Sequence, residues 1–496
     1  ERKIRNHQVS HGPGRTAFMP SRKLREGQGL LRPACCAARF GPIQLTHVQC
    51  FGRFFKSMTQ ALLRASLILI VYSVQTGSPF ADYRRYSAHG AFKLSQEDKA
   101  LLDDLEHRAF FYFWEQADPV TGLVRDRARL NGSPMDEAHR DVASIAATGF
   151  GLSVLCIGAE RHWMPGKAIR DRVYTALGFF ANRAPAVHGW FYHWMNAKTG
   201  ERTWQSEISS IDTALLLAGV LTVRSYYSSD SDIRRLATGI YNRVDFKWML
   251  NGDPVLLSHG WKPETGFLQY KWDTFSEDNI LYLLAIGSHS HPIEPRSWYA
   301  WNRERLDYDG YHFIGGAPLF THQYLQAWFD LRRLREGRAL PLHYFENSVT
   351  ATRANRAYCM NLSGRFSGYT GDIWGISASD SPGGYIAIAA PPGDPAIDGT
   401  VATSAAGGSL MFAPDICLAA LKAMRRKYAN KVWGRYGLAD AFNPTTGWVD
   451  TDVIGIDLGI VALSAENLRT GRVWLWFSRN PGARRALRLA GFRWSR

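Results

Sequence analysis

The stretch SIDTALLLAGVLTVRSYY (210–227) has apolar residues all round a helix, which predicts a helix buried on every side. Residues 141–163 have the same character, whereas residues 168–184 and 230–244 are apolar along one stripe only and belong at a surface. This alternation of buried and amphipathic helices is what two concentric helical rings would produce. We therefore predict an all-α fold, a single toroid of two helical rings with short β-strands in its loops.

The predicted elements extend over nearly the whole chain. Helices are predicted at 95–116, 141–163, 168–184, 210–227, 230–244, 276–287, 319–333, 344–361, 410–428 and 454–469. Short strands are predicted at 189–193, 255–257 and 385–389.

Length and composition exclude several classes of protein. The chain has 496 residues, 46% of them hydrophobic, which is too long and too apolar for a disordered tail or a disulfide mini-protein. Its net charge is +15, but residues 1–57 hold eleven Lys/Arg against two Asp/Glu and so carry +9 of it. A nucleic-acid-binding protein concentrates such charge on its folded domain, so we expect no nucleic-acid partner.

The N-terminal region predicts a segment for export. Residues 58–64 are short and end in a cation, 65–74 (ASLILIVYSV) form an apolar run, and 75–81 are small and polar. This is the layout of a secretory signal peptide at 58–81, although an N-terminal anchor or a core helix stays an alternative. Residues 1–57 lack helical or strand periodicity and are interpreted as non-native upstream translation. We expect a periplasmic or secreted monomer without stable membrane insertion, and a catalytic domain over 95–495.

The sequence offers no metal-ligand spacing. Neither CxxC nor HExxH occurs, and Cys156, Cys359 and Cys417 are far apart among apolar residues, which indicates buried free thiols. No P-loop or dinucleotide fingerprint occurs either. We therefore expect no metal and no cofactor.

Carboxylates beside tryptophans form the candidate site. Four segments combine the two residue types: 114–127 (WEQADPVTGLVRDR), 204–213 (WQSEISSIDT), 272–279 (WDTFSEDN) and 374–381 (WGISASDS). An aromatic ring can cover the apolar face of a sugar while carboxyl groups serve as acid, base or nucleophile. The pattern favours an oligo- or polysaccharide substrate. The candidate residues here are Trp204, Glu207, Asp212, Trp272, Glu277, Trp374 and Asp380.

Each carboxylate also has a structural interpretation. Glu207 and Glu277 could be helix-start residues that the helix dipole favours. Asp212, inside an apolar helix, could be the partner of a buried ion pair, and Asp118 and Asp126 could form a turn and pair with Arg125 or Arg127. These spacings support a functional site only because they occur together.

At this point the motifs resemble a known family. Five stretches of the chain resemble the bacterial glucoamylase-like (α/α)6-barrel glycoside hydrolases. They are YFWEQADPVTGLVRDR (112–127), SEISSIDTALLLAGVL (206–221), WDTFSEDNILYLLAIGS (272–288), WGISASDSPGGY (374–385) and IGIDLGIVALSAENLRTG (454–471). That family is related to endo-β-1,2-glucanases and to the transglycosylase region of cyclic β-1,2-glucan synthases. The resemblance extends over about 95–495 and implies an (α/α)6 barrel.

The resemblance also implies roles for residues. In the synthase branch, the glutamates that correspond to Glu207 and Glu277 are acid/base and nucleophile of a retaining mechanism. In the glucanase branch an Asp and a Glu align with Ser209 and Asp212, so Ser209 departs from that branch. The resemblance further implies sugar-binding roles for Asp380, Asp398 and Asp457.

The leading hypothesis is an exported hydrolase or transglycosylase acting on β-glucans, with β-1,2 linkages favoured. An inverting endo-β-1,2-glucanase and a non-catalytic carbohydrate-binding protein on the same barrel are the alternatives. For the leading hypothesis we expect an apolar wall such as Trp204 to raise the pKa of Glu207, so that it stays protonated as the acid. Donors at a helix start should keep Glu277 charged as the nucleophile.

Overall fold

Helices dominate the chain in a computed structural model, which describes residues 92–337 and 342–495. The predicted upstream segment 1–57 and signal peptide 58–81 lie outside the described residues. The α-helices within these ranges are α1 (Gln96–Glu115), α2 (Ile145–Glu160), α3 (Gly166–Asn182), α4 (Ser210–Tyr226), α5 (Ser231–Asn242), α6 (Asp278–Gly287), α7 (Tyr324–Trp328), α8 (Tyr344–Asn361), α9 (Thr403–Gly407), α10 (Pro414–Tyr428), α11 (Gly455–Arg469), α12 (Arg472–Ser478) and α13 (Pro481–Leu489). Short 3-10 helices lie at Trp248–Leu250, Pro295–Tyr299, Leu319–His322 and Ala429–Lys431.

The strands are short and lie in the connections between helices. They are β1 (Arg127–Arg129), β2 (Val142–Ser144), β3 (Ala186–Val187), β4 (Trp190–Phe191), β5 (Trp194–Asn196), β6 (Ile208–Ser209), β7 (Gly260–Lys262), β8 (Gly266–Phe267), β9 (Arg305–Tyr308), β10 (Tyr311–Ile314), β11 (Leu334–Glu336), β12 (Ala378–Ser379), β13 (Ile386–Ala387), β14 (Val401–Ala402), β15 (Trp433–Gly434), β16 (Gly437–Leu438), β17 (Ala441–Asn443), β18 (Trp448–Val449), β19 (Asp452–Ile454) and β20 (Phe492–Trp494). All pair antiparallel, in the sheets β1–β19, β2–β5, β3–β4, β6–β7–β8, β9–β10, β11–β20, β12–β13, β14–β17–β18 and β15–β16.

The predicted contrast between buried and amphipathic helices is present in the structure. Nearly every residue of α2 and α4 is buried, and all ten residues of α6 are. In contrast, α3 and α5 bury only one side, as their apolar stripes predict. Burial of this kind is the main source of stability for such helices.

Two glycines allow the buried helices α2 and α4 to pack closely. A Cβ atom on Gly219 would overlap the carbonyl oxygen of Gly149, and a Cβ on Gly149 would overlap the backbone at Leu215. The two backbones therefore approach closely because neither position has a side chain.

Three predicted elements differ from the structure, each for a local reason. Residues 255–257 are not a strand, because the Asp253 carboxylate accepts the N–H groups of Val255 and Leu256 at 2.8 Å. The helix predicted at 319–333 ends at Trp328, since Phe329 is extended and β11 then pairs with β20. The helix predicted at 410–428 begins only at Pro414, which lacks the N–H that a helix interior needs.

The three cysteines of the described residues are buried and free, as the sequence predicts. In the part of the chain that the structure describes, no helix has the length and apolar character needed to cross a membrane.

Four buried helices begin directly after a strand. The strands β2, β6, β14 and β19 lead without a break into α2, α4, α9 and α11. Antiparallel pairing of these strands with their neighbours fixes the loops at the N-terminal ends of the buried helices, and those loops carry the candidate site.

Candidate active site

The predicted carboxylates lie at the N-terminal ends of buried helices. Glu207 immediately precedes β6, Asp212 lies in the first turn of α4, Glu277 is the residue before α6, and Asp457 lies in the first turn of α11. Unpaired N–H groups and the positive end of the dipole stabilise carboxylates at such positions.

Several of these carboxylates influence the pKa of one tyrosine. Burial raises the pKa of the Tyr324 hydroxyl well above its usual value, and the charges of Asp457, Glu277 and Asp212 raise it further. Three of the carboxylates that the sequence singled out therefore act electrostatically on the same hydroxyl group.

His193 joins two of the predicted carboxylates. Its Nδ1 lies 3.0 Å from Oε1 of Glu207, and its Nε2 lies 3.4 Å from Oδ1 of Asp212. Its ring stacks on Trp194, whose indole N–H donates to Asp126 at 3.4 Å. Asp212 is thus the partner of a buried ion pair, one of the two interpretations that its sequence position allowed.

This arrangement keeps Glu207 ionised. Burial opposes the charge on His193, but Asp212 and Glu207 outweigh it and raise the pKa of His193 to about 9. Burial likewise opposes the charge on Glu207, but the hydrogen bond and the charge of His193 lower its pKa to about 2. At neutral pH the pair is therefore an imidazolium beside a carboxylate.

Glu277 has the opposite electrostatic character. Burial raises its pKa to about 7, and the charge of Asp212 contributes to the rise. No described side chain with a positive charge forms an ion pair with it. Burial raises the pKa of Asp212 and the charge of Glu207 raises it further, so Asp212 interacts electrostatically with both glutamates.

The expected division of charge between the two glutamates is therefore wrong. The sequence predicts that Trp204 raises the pKa of Glu207 and that helix donors keep Glu277 charged. Instead, His193 lowers the pKa of Glu207, and burial at the start of α6 outweighs the backbone donor at Glu277. The carboxyl group that carries a proton near neutral pH is that of Glu277.

A second group of carboxylates surrounds Arg127. The Nη1 of Arg127 lies 2.9 Å from Oδ2 of Asp380, and the backbone N–H of Asp380 donates to Asp440 at 2.7 Å. Burial, followed by repulsion from neighbouring carboxylates, raises the pKa values of Asp440, Asp450 and Asp457. This group offers both charged and neutral hydrogen-bonding oxygens, which suits recognition of sugar hydroxyls.

Two sets of residues have the proximity that a metal ion requires. Ligand atoms of His193, Glu207 and Asp212 lie within 4.8 Å of one another, as do those of Asp380, Asp440 and Asp450. Each set already contacts a cation, because His193 is protonated at neutral pH in the first and Arg127 bonds to Asp380 in the second. The donor chemistry therefore fits ion pairing in both sets.

The predicted tryptophans differ in their exposure. Trp204 is 38% exposed and contacts the rings of Trp194 and His139, so part of its surface is available to a ligand. Trp272 is 4% exposed, stacks on His259 and donates to Ser210, and Trp374 is fully buried. Core packing covers both of these rings, and the sugar-binding role given to Trp272 and Trp374 stays a prediction.

The remaining predicted residues form turns. The exposed Asp398 accepts the N–H of Thr400 at 2.9 Å, and its own carbonyl accepts from Asn443. Asp118 accepts the N–H groups of Val120 and Thr121 and so forms the predicted turn. Its companion Asp126 lies 3.6 Å from Nε of Arg127, the ion pair expected for it.

Comparisons with known proteins agree with the sequence resemblance. Residues 269–481 match the glycoamylase family, whose description reads "Putative glucoamylase". The resemblance to the glucoamylase-like family is confirmed. The relatives described next are glycosidases, the class of enzyme that the sequence predicts.

Three relatives extend this match along the chain. The exo beta-1,2-glucooligosaccharide sophorohydrolase of Parabacteroides distasonis is 27% identical over 429 residues, which are 79% of this chain and 57% of the relative. The endo-beta-1,2-glucanase of Chitinophaga pinensis, solved with sophorotriose and glucose, has a TM-score of 0.75 and 27% identity, over 81% of this chain and 99% of that one. A beta-1,2-glucanase of Parabacteroides distasonis has a TM-score of 0.73 and 26% identity, over 80% and 60% of the two chains. The chain thus spans 57% of the length of this curated relative.

Sequence reasoning missed His193, Asp440 and Asp450. His193 reaches Glu207 because its N–H donates to the Glu207 carbonyl at 3.0 Å, between the β4–β5 loop and β6. Such backbone pairing between separate loops cannot be recognised from the residue spacing of a single sequence. The motif YGLADAFNPTTGWV (436–449) contains Asp440 and ends next to Asp450, and its aspartates beside aromatics were the available signal.

Proposed function

We propose that this chain is a glycoside hydrolase that cleaves β-1,2-linked glucans with Glu207 and Glu277. Its relatives support the substrate, because all three named above are described as acting on β-1,2-linked glucose chains. The observation that carries the chemistry is the opposite pKa shift of the two glutamates, to about 2 and about 7. A glycosidase needs one carboxyl group protonated and the other ionised at the same pH.

In the proposed mechanism Glu277 is the general acid. Its proton passes to the glycosidic oxygen as the bond to the anomeric carbon breaks, so the departing sugar leaves as a neutral alcohol. The carboxylate of Glu207 attacks the same carbon from the opposite face and forms a glycosyl ester. Glu277, now ionised, then takes a proton from water, and the hydroxide attacks the ester and releases Glu207.

His193 acts on this mechanism through Glu207. An imidazolium 3.0 Å from the carboxylate keeps it ionised and fixes its orientation. Asp212 holds the other ring nitrogen, so His193 keeps both protons. We therefore propose His193 and Asp212 as positioning residues and Glu207 and Glu277 as catalytic residues.

Retention follows from this proposal and separates it from two alternatives. In an inverting glucanase Glu207 would activate water instead of attacking, and the two carboxyl groups would stand about 6.5–9.5 Å apart rather than about 5–5.5 Å. In a transglycosylase a sugar hydroxyl would replace water in the second step. Ser209, which caps α4 through the N–H of Asp212 at 3.2 Å, supports the resemblance to the synthase branch.

We propose the (α/α)6 barrel as the architecture of the described residues. Its support is a chain of contacts among buried helices, in which α2 packs against α4, α4 against α6, α6 against α7, α7 against α11, and α11 back against α2. Helix α9 packs on α11 and on the 3-10 helix before α7, and so takes a place in this ring. The amphipathic helices α1, α3 and α5 pack outside it, on α2 and α4.

Export and a monomeric state belong to the same proposal. The apolar run at 65–74 supports a signal peptide over 58–81, and residues 1–57 would then contribute nothing to the folded enzyme. A chain that starts at Asp82 should fold and act like the full chain, and loss of folding on deletion of 1–81 would contradict this.

Chemical rescue by azide tests the assignment of roles. The full chain carrying Glu277→Ala or Glu207→Ala is incubated with an aryl β-sophoroside and sodium azide, with circular dichroism to verify the fold. Azide should restore turnover of Glu277→Ala with a β-glycosyl azide as product, because it attacks the ester formed on Glu207. For Glu207→Ala it should give the α-glycosyl azide. Exchange of the two products would reverse the roles, and unchanged activity in both variants would reject the pair in favour of Asp212 and Asp457.

A further inference from the structure

A cavity of about 650 Å³ lies away from the carboxylate site, between the C-terminal end of α4, helix α5 and the start of α13. Arg224 on α4 lines it, whereas Asp212 of the carboxylate site lies twelve residues earlier on the same helix. At about 1.5 Å per residue the two positions are about 18 Å apart along the helix axis. The cavity is therefore a separate site.

Its lining is cationic and polar. Arg224, Arg234, Arg235 and Arg479 line it, and the other lining residues are serine, threonine, asparagine, glycine and proline. None of the lining residues is acidic. Guanidinium, hydroxyl and amide groups of this kind indicate a charged and hydroxyl-rich ligand.

The arginines have few partners of their own. Arg235 pairs with Asp232 at 3.3 Å, and Arg234 donates to the carbonyl of Ser228 at 3.2 Å. The half-buried Arg224 forms no ion pair with any described residue, and burial followed by the charge of Arg234 lowers its pKa. A partly buried guanidinium next to a like charge is unfavourable unless an anion approaches it.

We propose that this cavity binds a sugar that carries a phosphate group. Guanidinium groups offer paired N–H donors that match phosphate oxygens, and several of them converge here. The N-terminal end of α13, where Asn480 and Pro481 line the cavity, adds the positive end of a helix dipole. The hydroxyl and amide side chains suit sugar hydroxyl groups, and the volume lies within the range of about 300–1,000 Å³ typical of small-molecule sites.

Calorimetric titration of the full chain with glucose 6-phosphate tests the proposal. Binding should be saturable and should weaken as salt rises, because charge drives it. Arg224→Gln and Arg479→Gln should each weaken binding by about tenfold or more, since each removes hydrogen bonds to a charged group. Arg488→Gln, on the exposed side of α13 and outside the cavity, is the matched control and should bind as the unsubstituted chain does.

Four outcomes would overturn the proposal. They are no saturable binding of glucose 6-phosphate, equal binding of glucose, equal binding of inorganic phosphate alone, and full binding by the folded Arg224→Gln/Arg479→Gln double variant. The titration contains no glucan, so its result is independent of whether the chain cleaves β-1,2 linkages. Hydrolysis measured on the same samples should be unaffected by either substitution.

Discussion

Replacement of His193 by glutamine removes the positive charge beside Glu207 and keeps an N–H donor. The pKa of Glu207 falls from its usual 4.5 to about 2, a difference of about 2.5 units. At about 1.36 kcal/mol per unit this is about 3 kcal/mol of preference for the ionised form. The upward shift of His193 from 6.5 to about 9 reports the same contact and is not added to it.

The activity of His193→Gln should therefore change in its pH dependence. Without the imidazolium, burial dominates, and the pKa of Glu207 should return to at least its usual 4.5. The acidic limb of kcat/KM, measured on β-1,2-gluco-oligosaccharides, should move upward by about 2.5 pH units. Because Glu207 stays mostly ionised at pH 7, kcat/KM there should fall much less than in Glu207→Gln.

The stability of His193→Gln should depend on pH in a defined direction. The raised pKa of His193 stabilises the fold fully below pH 6.5, and this contribution is lost as pH rises through about 9. The lowered pKa of Glu207 stabilises it above pH 4.5, and that contribution is lost as pH falls through about 2. Urea unfolding should show the largest loss, up to about 3 kcal/mol, between pH 4.5 and 6.5 and a smaller loss at pH 9.5.

The matched control is His312→Gln, which breaks an exposed ion pair with Asp307 on the β9–β10 hairpin. Exposed pairs contribute little, so this variant should keep both the activity profile and the stability. A folded His193→Gln variant whose acidic limb stays in place would refute the electrostatic reasoning for Glu207.

The other predictions concern the acid, the sugar platform and the helix crossing. Activity should fall as pH rises through about 7, because Glu277 must hold a proton. Glu277→Gln should abolish this basic limb of the pH profile and lower kcat by about 10²–10⁴-fold on a natural substrate. A basic limb that persists in this variant would be due to another group. Trp204→Ala should raise KM for oligosaccharides more than it lowers kcat for an activated disaccharide, because the exposed ring is proposed only to stack on a sugar. Equal effects on both parameters would contradict that role. Gly219→Ala should lower the free energy of unfolding by about 1–3 kcal/mol, because its Cβ would overlap the Gly149 carbonyl, whereas Gly239→Ala, with open space around its Cβ, should not.

The sequence predicted the helices well where burial alone decides them. The apolar stretch that became α4 has no polar side on which another fold could be built, and its start follows from Ser209, whose side chain caps it. Predictions were wrong where tertiary contacts decide, as at Phe329, which turns the chain toward the strand that pairs with β20.

The candidate site shows the same limit at the level of charge. Residue type and helix position were enough to select Glu207 and Glu277 as candidates. Their protonation could not be predicted, because it depends on His193, which reaches Glu207 through backbone pairing between loops fourteen residues apart. Likewise, composition could not distinguish Trp204 from Trp374, since exposure depends on what packs over each ring.

The most direct test of the proposed function is proton NMR of the first products from linear β-1,2-glucan. The full chain is mixed with the polymer, and the anomeric signals of new reducing ends are followed before mutarotation, with Glu207→Gln as the inactive control. A retaining mechanism with Glu207 as nucleophile predicts cleavage of β-1,2 linkages with the β-anomer formed first. First formation of the α-anomer would contradict the nucleophilic role of Glu207, and absence of cleavage by the folded chain would contradict the proposed function itself.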